Sequence, residues 1–365
     1  MTATLRVVIE QASAQSFSDQ ATAGLEAARA LLRMAPDGCE VAAIVPNGEA
    51  DLAPLVPGLS SVRVAPLARR ELLAAWQLGV APSTGGGFIH STTLAAPLVR
   101  HDRVNDGDQT VVTLWDLRPW EAGAELARTA VTWNRAMLKR AVKHADAIVV
   151  PTFAHAARLD EEWSFGDRVR VVAGAAPEWF REPSDADARA RDLALPERYL
   201  VTDATSAPSD GLAKTFAAAA PQLHDDLTVL VIGVPTDQED AVRDLASAAG
   251  IPERALQLRP ALDAADRAVV LARSHLLVSA VSRTTWPWRV VEALTLGVPV
   301  VALDTPSHRE VIADGGVLAD ADGMADAVAQ VLADTDRYRV LSADRGRAYS
   351  WDSSAERIWQ LHAEL

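Results

Sequence analysis

The chain has 365 residues, 49% of them apolar and 23% charged, with a formal net charge of −14 at pH 7. That length suggests two domains, and that balance is a globular one, which excludes a disordered or fibrous chain. The excess of carboxylates excludes nucleic acid as a partner, because phosphates require a basic face, and limits membrane contact to the periphery at most.

Met1–Glu10 carries one arginine and a short apolar run, too brief for a signal segment or a bilayer span, which points to a cytoplasmic protein. A lone cysteine, Cys39, cannot form an internal disulfide or a zinc cluster and is expected to be an inert core residue. The ten tryptophans against three tyrosines are an unusual skew.

Short β-rich apolar runs then alternate with longer stretches of helical period, the pattern of βαβ units on a parallel sheet. Strands are expected at Leu5–Ile9, Val41–Val45, Ser61–Val64, Phe88–His90, Val111–Leu114, Ala147–Val150 and Val169–Val172. Between them helices are expected at Ala21–Met34, Arg69–Leu78, Ala122–His144 and Phe153–Trp163. From Ala173 to Arg198 the pattern breaks into a stretch rich in Pro, Ala, Asp and Arg, read as a connection. A second series follows, with strands at Tyr199–Thr202, Leu227–Ile232, Ala255–Leu258, Leu276–Ser279, Val298–Ala302 and Gly316–Leu318. Its helices are expected at Gly211–Ala219, Asp237–Ala248, Ala264–Arg273, Arg289–Leu296 and Asp322–Ala333. A final helix, Trp351–Leu365, reads as opened by a Ser353/Glu356 capping box, and Ser307/Glu310 reads as another.

The run Trp286–Leu318, W-P-W-R-V-V-E-A-L-T-L-G-V-P-V-V-A-L-D-T-P-S-H-R-E-V-I-A-D-G-G-V-L, resembles the donor domain of family 4 glycosyltransferases. Further segments extend the resemblance over most of the chain: V-V-T-L-W-D-L-R-P-W (Val111–Trp120), the stretch Trp133–Thr152, R-V-R-V-V-A-G (Arg168–Gly174) and Y-S-W (Tyr349–Trp351). The resemblance implies an α/β chain of two Rossmann-like domains facing across a cleft, the GT-B fold. It divides into an acceptor domain at 1–174, a link at 175–198, a donor domain at 199–348 and a terminal helix at 349–365 that crosses back to the first domain. It also implies retaining transfer of a hexose from a nucleotide sugar to a glycan, lipid-linked or small-molecule acceptor, with no cofactor and no obligatory metal.

On the family's pattern, Glu292 falls on the glutamate of E-A-[ML]-x-x-G-x-P-V-V that holds the donor ribose hydroxyls. A glutamate near a helix start is also stabilised by the helix dipole alone. Other positions depart from the family. Ser209 and Asp210 stand where a basic pair would steady the leaving pyrophosphate, and a carboxylate there would repel it. Thr284 replaces a glutamate eight residues before Glu292, and Thr285, Trp286 and Pro287 replace the glycines after it. Trp115 replaces the histidine of H-D while Asp116 remains. The first loop, S-F-S-D-Q-A-T-A-G (Ser16–Gly24), has lost all but its last glycine.

Trp115, Asp116 and Thr284 are thus the catalytic candidates. The donor-binding candidates are Glu292, Gly233 in a strand-end loop, and Lys214, Arg283 and Arg289, whose cations could replace the missing pair. A solvated or salt-bridged surface role is the alternative for each arginine. His90, Trp120, Trp286 and Trp288, at expected strand ends, are the acceptor-side candidates, because indole faces pack on sugar C–H groups; core packing is the alternative. Trp133 and Trp351 read as core and His308 as an exposed loop residue.

The triplets Asp106–Asp108, Asp185–Asp187 and Asp320–Asp322 are expected to hold no metal, and Gly85–Gly87 to be an ordinary loop. An oxidoreductase would need G-x-G-x-x-G after a first strand, which neither half supplies. A catalytically silent relative acting as a partner or regulatory subunit, with a protein partner, stays open beside the enzyme.

Overall fold

The computed structural model describes residues 3–12, 18–49, 51–82, 86–102, 107–223 and 227–365. Ser16 and Phe17 of the first loop, Gly85 and Asp106 lie outside the described residues. In chain order the first elements are β1 (Ala3–Val8), α1 (Asp19–Arg33), β2 (Cys39–Asn47), β3 (Val62–Ala68), α2 (Arg69–Leu78), β4 (Phe88–Ser91), β5 (Gln109–Thr113), α3 (Arg118–Glu121), α4 (Arg128–His144), β6 (Ala147–Val150), α5 (Phe153–Asp160) and β7 (Val169–Val171). Then come α6 (Ala186–Asp192), β8 (Tyr199–Asp203), α7 (Leu212–Ala219), β9 (Thr228–Ile232), α8 (Glu239–Ala248), β10 (Leu256–Leu258), α9 (Ala264–Arg273) and β11 (Leu276–Ser279). The chain closes with α10 (Trp288–Thr295), β12 (Val300–Leu303), α11 (Pro306–Ile312), β13 (Val317–Ala319), α12 (Met324–Ala333), α13 (Thr335–Gly346) and α14 (Trp351–Glu364).

These elements form two compact units. The first comprises Met1–Glu178, Thr284–Trp286 and Ser350–Leu365, and the second Trp179–Arg283 and Pro287–Tyr349. The first holds a seven-stranded parallel sheet in the order β3-β2-β1-β4-β5-β6-β7. The second holds a six-stranded parallel sheet in the order β10-β9-β8-β11-β12-β13. Strands covered on both faces need apolar side chains on both, which is why β6 (AIVV) and β9 (TVLVI) are buried at every position. Each unit has its own core: Val8, Ile44, Trp76, Val112 and Met137 belong to the first, and Leu200, Phe216, Val231, Val278 and Val301 to the second.

In both sheets the strand order reverses direction beside the first strand of the series, between β1 and β4 and between β8 and β11. Such a reversal leaves a crevice at the carboxyl ends of the strands, because the flanking loops leave in opposite directions. In the first unit α14 packs on α1. The Trp359 indole N–H donates to the Leu31 carbonyl at 3.1 Å, and Arg33 pairs with Asp352 at 2.6 Å.

Several local expectations are corrected. The expected helix Ala122–His144 is broken: α3 ends before Ala122, whose φ of −136° is not helical, and α4 begins only at Arg128. The stretch read as connection contains α6. The cap of α14 is Ser350, whose hydroxyl accepts from Ser353 N–H at 3.1 Å, and the cap of α11 is Thr305, with Pro306 first in the helix. Cys39 is half-buried at the start of β2, not enclosed.

Candidate functional site

The second unit's crevice is built from the ends of β8 and β11. The loops that follow them are tied together, since Ser282 N–H donates to the Ser209 carbonyl at 3.0 Å. Gly211 makes the approach possible: its φ is +73°, and a methyl group there would collide with the Ala280 carbonyl. Asp210 does not present an unpaired carboxylate to the crevice. One oxygen accepts from Thr205 N–H at 3.0 Å and from the Thr205 hydroxyl at 2.5 Å, and the other pairs with Arg283. Arg283 also donates to the Ser209 hydroxyl at 3.3 Å. The repulsion expected from an acidic residue here is therefore offset by an arginine recruited from the neighbouring loop.

A second network is centred on Glu292. Glu292, on the second turn of α10, is 3% exposed. Arg267 of α9 grips both its oxygens, Nε to Oε2 at 2.9 Å and Nη2 to Oε1 at 2.8 Å. Arg289, one turn before Glu292, donates to Oε2 and with its Nε pairs with Asp203 at 2.9 Å. Two guanidinium groups and two carboxylates thus balance in charge at the carboxyl end of β8. Gly233, with φ +78°, faces Asp203 closely enough that a Cβ would strike the carboxylate.

Lys214, in the first turn of α7, is half-exposed. Trp288 is half-buried at the first position of α10. His308 is not an exposed loop residue. It is buried in α11, with Nδ1–H donating to the Leu303 carbonyl at 2.8 Å and Nε2 at 3.4 Å from the Ser279 hydroxyl, and burial lowers its pKa.

In the first unit, the carboxyl ends of β1, β4 and β5 open into a pocket of about 860 Å³. Trp115 and Asp116 line it, together with Glu10, Arg69, Arg118 and Trp133. Trp133, read as core, is half-buried in this wall, where its indole N–H donates to the Leu73 carbonyl at 3.3 Å. Asp116 accepts from Arg118 N–H at 2.6 Å, which fixes the carboxylate at the start of α3. Glu10 pairs with Arg69 at 3.1 Å and accepts from the Thr93 hydroxyl at 2.9 Å.

Trp115 is 5% exposed, its indole N–H donating to the Thr92 carbonyl at 2.7 Å. Its ring lies 6.5 Å from that of Trp286 and 6.4 Å from that of Trp351. Trp286 is 1% exposed, and its backbone N–H donates to the Trp115 carbonyl at 2.9 Å. Thr284 also belongs to this unit, its N–H and hydroxyl both donating to Glu121, at 2.7 and 2.9 Å. Trp120 meets Trp163 edge-on at 5.5 Å. His90 is wholly enclosed in β4, its ring facing His362 of α14.

The structure therefore gathers Glu292, Arg289, Arg283 and Gly233 about one crevice and Trp115 and Asp116 about one pocket. His90, Trp120 and Trp286 pack among the first unit's own side chains. Sequence reasoning missed Arg267, Asp203, Glu10 and Arg69. Arg267 had a signal, since it shares a helical face with Val270 and Leu271, and an arginine on a buried face requires a carboxylate partner. Among the described residues no group of three or more His, Cys, Asp or Glu is placed to hold a metal, and no helix is long and apolar enough to cross a membrane.

Comparison with known proteins fits this geometry. The family model "Glycosyl transferases group 1" matches residues 201–334. A phosphatidyl-myo-inositol mannosyltransferase of Mycobacterium leprae is 27% identical over 149 residues, a match that spans 39% of this chain and 39% of that protein. Sucrose-phosphate synthase of Thermosynechococcus elongatus superposes with a TM-score of 0.73 at 18% identity, covering 99% of this chain and 98% of the other. HepE of Anabaena, in complex with UDP and glucose, gives a TM-score of 0.69 at 14% identity over the whole of both chains. Residues 201–334 thus match the group 1 glycosyltransferase model, and the chain as a whole has the GT-B fold of these solved structures.

Proposed function

We propose that the chain transfers a sugar from a nucleotide donor held at the β8/β11 crevice of the second unit to an acceptor hydroxyl bound in the pocket of the first. The observation that carries this reading is Glu292. It is a buried carboxylate at the position where the sequence resemblance expects the ribose-binding glutamate, near the sheet reversal where an α/β protein takes its nucleotide. In the transfer, the bond from the anomeric carbon to the diphosphate breaks and a bond to the acceptor oxygen forms. The departing diphosphate gains charge, and Arg283, Lys214 and the N-terminus of α7 are the candidates to meet it. Asp116 is the pocket carboxylate suited to steady the acceptor hydroxyl and receive its proton. Retention at the anomeric carbon is part of this reading, by likeness to the family.

Calorimetry and turnover assays against UDP-, GDP-, TDP- and ADP-sugars test it. Heat and release of nucleoside diphosphate with at least one donor are expected. No heat and no hydrolysis with any of them would overturn the proposal.

A second reading, a catalytically silent relative acting through a protein partner, is favoured by one observation: Arg283 and Arg289 are both engaged by carboxylates, Asp210 and Asp203. It requires a chain that turns over no sugar nucleotide in the presence of any acceptor and co-purifies from its host with a stoichiometric protein partner. Turnover by the isolated protein excludes it.

A further inference from the structure

The two arginines on Glu292 are not equivalent. Arg267 approaches as a fork, with one N–H on each carboxylate oxygen, an arrangement that fixes both the plane and the direction of the acid. Arg267 is itself locked. Its third donor, Nη1, reaches the Leu262 carbonyl at 3.2 Å, its guanidinium lies 5.6 Å from the centre of the Phe180 ring, and the residue is 9% exposed. Arg289 touches only Oε2 and divides its charge with Asp203, a carboxylate 30% exposed.

Lone pairs decide what Glu292 has left to offer. A carboxylate oxygen accepts about two hydrogen bonds. Oε2 has both places filled, by Arg267 and Arg289, whereas Oε1 carries Arg267 alone. One hydroxyl can therefore join Oε1 with the network intact. A second can join Oε2 only where Arg289 withdraws to Asp203 while Arg267 stays.

We infer that Arg267 is a positioning residue that aims Glu292 at the ribose hydroxyls of the donor nucleotide, and that Arg289 is dispensable for this aim. The inference rests on the reading of the second unit as a nucleotide site. It makes recognition of the sugar hydroxyls depend on a residue that touches no substrate.

The test uses the full chain and calorimetry with UDP, GDP and ADP, each beside its 2′,3′-dideoxy counterpart. The wild-type protein is expected to prefer the ribonucleotide by about tenfold or more, since charge-assisted hydrogen bonds are lost in the dideoxy form. In Arg267→Lys, which supplies a point charge but no fork, the preference falls to within about threefold of unity. In Arg289→Met, which keeps the fork and opens a place on Oε2, it does not fall below the wild-type ratio. A purely structural role for Arg267 would weaken both nucleotides alike and leave the ratio unchanged, so an unchanged ratio in Arg267→Lys overturns the inference. Should that variant not fold, Phe180→Ala loosens the guanidinium while keeping both charges, and an unchanged ratio there overturns it equally. A wild-type protein that binds no nucleoside diphosphate overturns the functional reading itself, and one that binds ribo and dideoxy forms alike overturns the role of Glu292.

Discussion

Asp210 and Arg283 show how burial changes the value of an ion pair. Their side chains are 7% and 13% exposed, against 61% and 79% for Asp344 and Arg347. Breaking a buried pair from one side leaves an uncompensated charge and costs about 3 kcal/mol or more, whereas exposed pairs contribute little. Arg283→Gln is thus expected to lower the urea midpoint clearly and Arg347→Gln to leave it unchanged; equal shifts would contradict this account of the crevice. Asp116→Asn tests chemistry instead of stability. With Asp116 as the proton acceptor, the variant should lose about a hundredfold or more in kcat, with donor affinity unchanged. A kcat near wild type would remove Asp116 from the mechanism. Glu292 and Asp116 stood out as candidates in the sequence because they fall in segments of recognisable order. Arg267 could be marked as an arginine in need of a carboxylate, but its pairing with Glu292 could not, because the two lie 25 residues apart on different helices and only the fold brings them together. Asp210 was legible as an acid but not as half of a pair, because its partner comes from the loop after β11.

Among the elements, the strands were the most legible, since a parallel strand covered on both faces must be a continuous apolar run. The missed helices lack such a mark. α13 (TDRYRVLSADRG) is charged along much of its length, and α6 (ADARARD) is short and set in a Pro- and Asp-rich stretch. The terminal helix α14 was legible, and the resemblance also placed it on the first unit, but the side chains that fasten it there were not. His362 Nδ1–H donates to the Gln109 side chain at 2.9 Å, which leaves Nε2 to accept from His90 Nδ1–H at 3.3 Å. Both rings are buried and neutral, with Phe88 beside His362. Burial lowers the His362 pKa from 6.5 to about 4, and His90 is held well below its ordinary value by burial and then by the facing His362. The unfolded chain therefore binds these protons first. The stability contributed is complete above about pH 6.5 and is lost as the pH falls toward 4, roughly 2 kcal/mol at pH 5 from His362 alone. Denaturation of the wild type at pH 7.5 and 5 should show this loss, and the double variant His90→Phe/His362→Leu should show less of it. An equal acid loss in both would place the sensitivity elsewhere, with His155, also lowered to about 4, the next group to examine.

At the scale of the whole molecule, each unit carries its own sheet, its own core and its own reversal of strand order, so the proposed donor and acceptor sites belong to separately built structures. A ligand that binds only the folded form of one stabilises what it touches, by about 2.7 kcal/mol at a hundred times its dissociation constant. Local opening responds to that energy only where the opening disrupts the site. A nucleoside diphosphate should therefore slow amide hydrogen exchange in the second unit, foremost in the loop after β8, the loop after β11 and the first turns of α7 and α10. In Glu292→Gln that protection should weaken at equal ligand concentration, with the exchange of β1–β7 unaltered. Two features make the outcome decisive. The first unit also has a crevice, between β1 and β4, in which Glu10 and Arg69 are already paired, so it offers the nucleotide a competing place of the same architectural kind. Its glycine-poor opening loop argues against that place, because close backbone approach to a phosphate is easiest at glycine. Protection confined to the Glu10–Arg69 region would reverse the assignment of donor and acceptor units, whereas protection following Glu292 ties the family's donor function to the second unit by a measurement that does not depend on turnover.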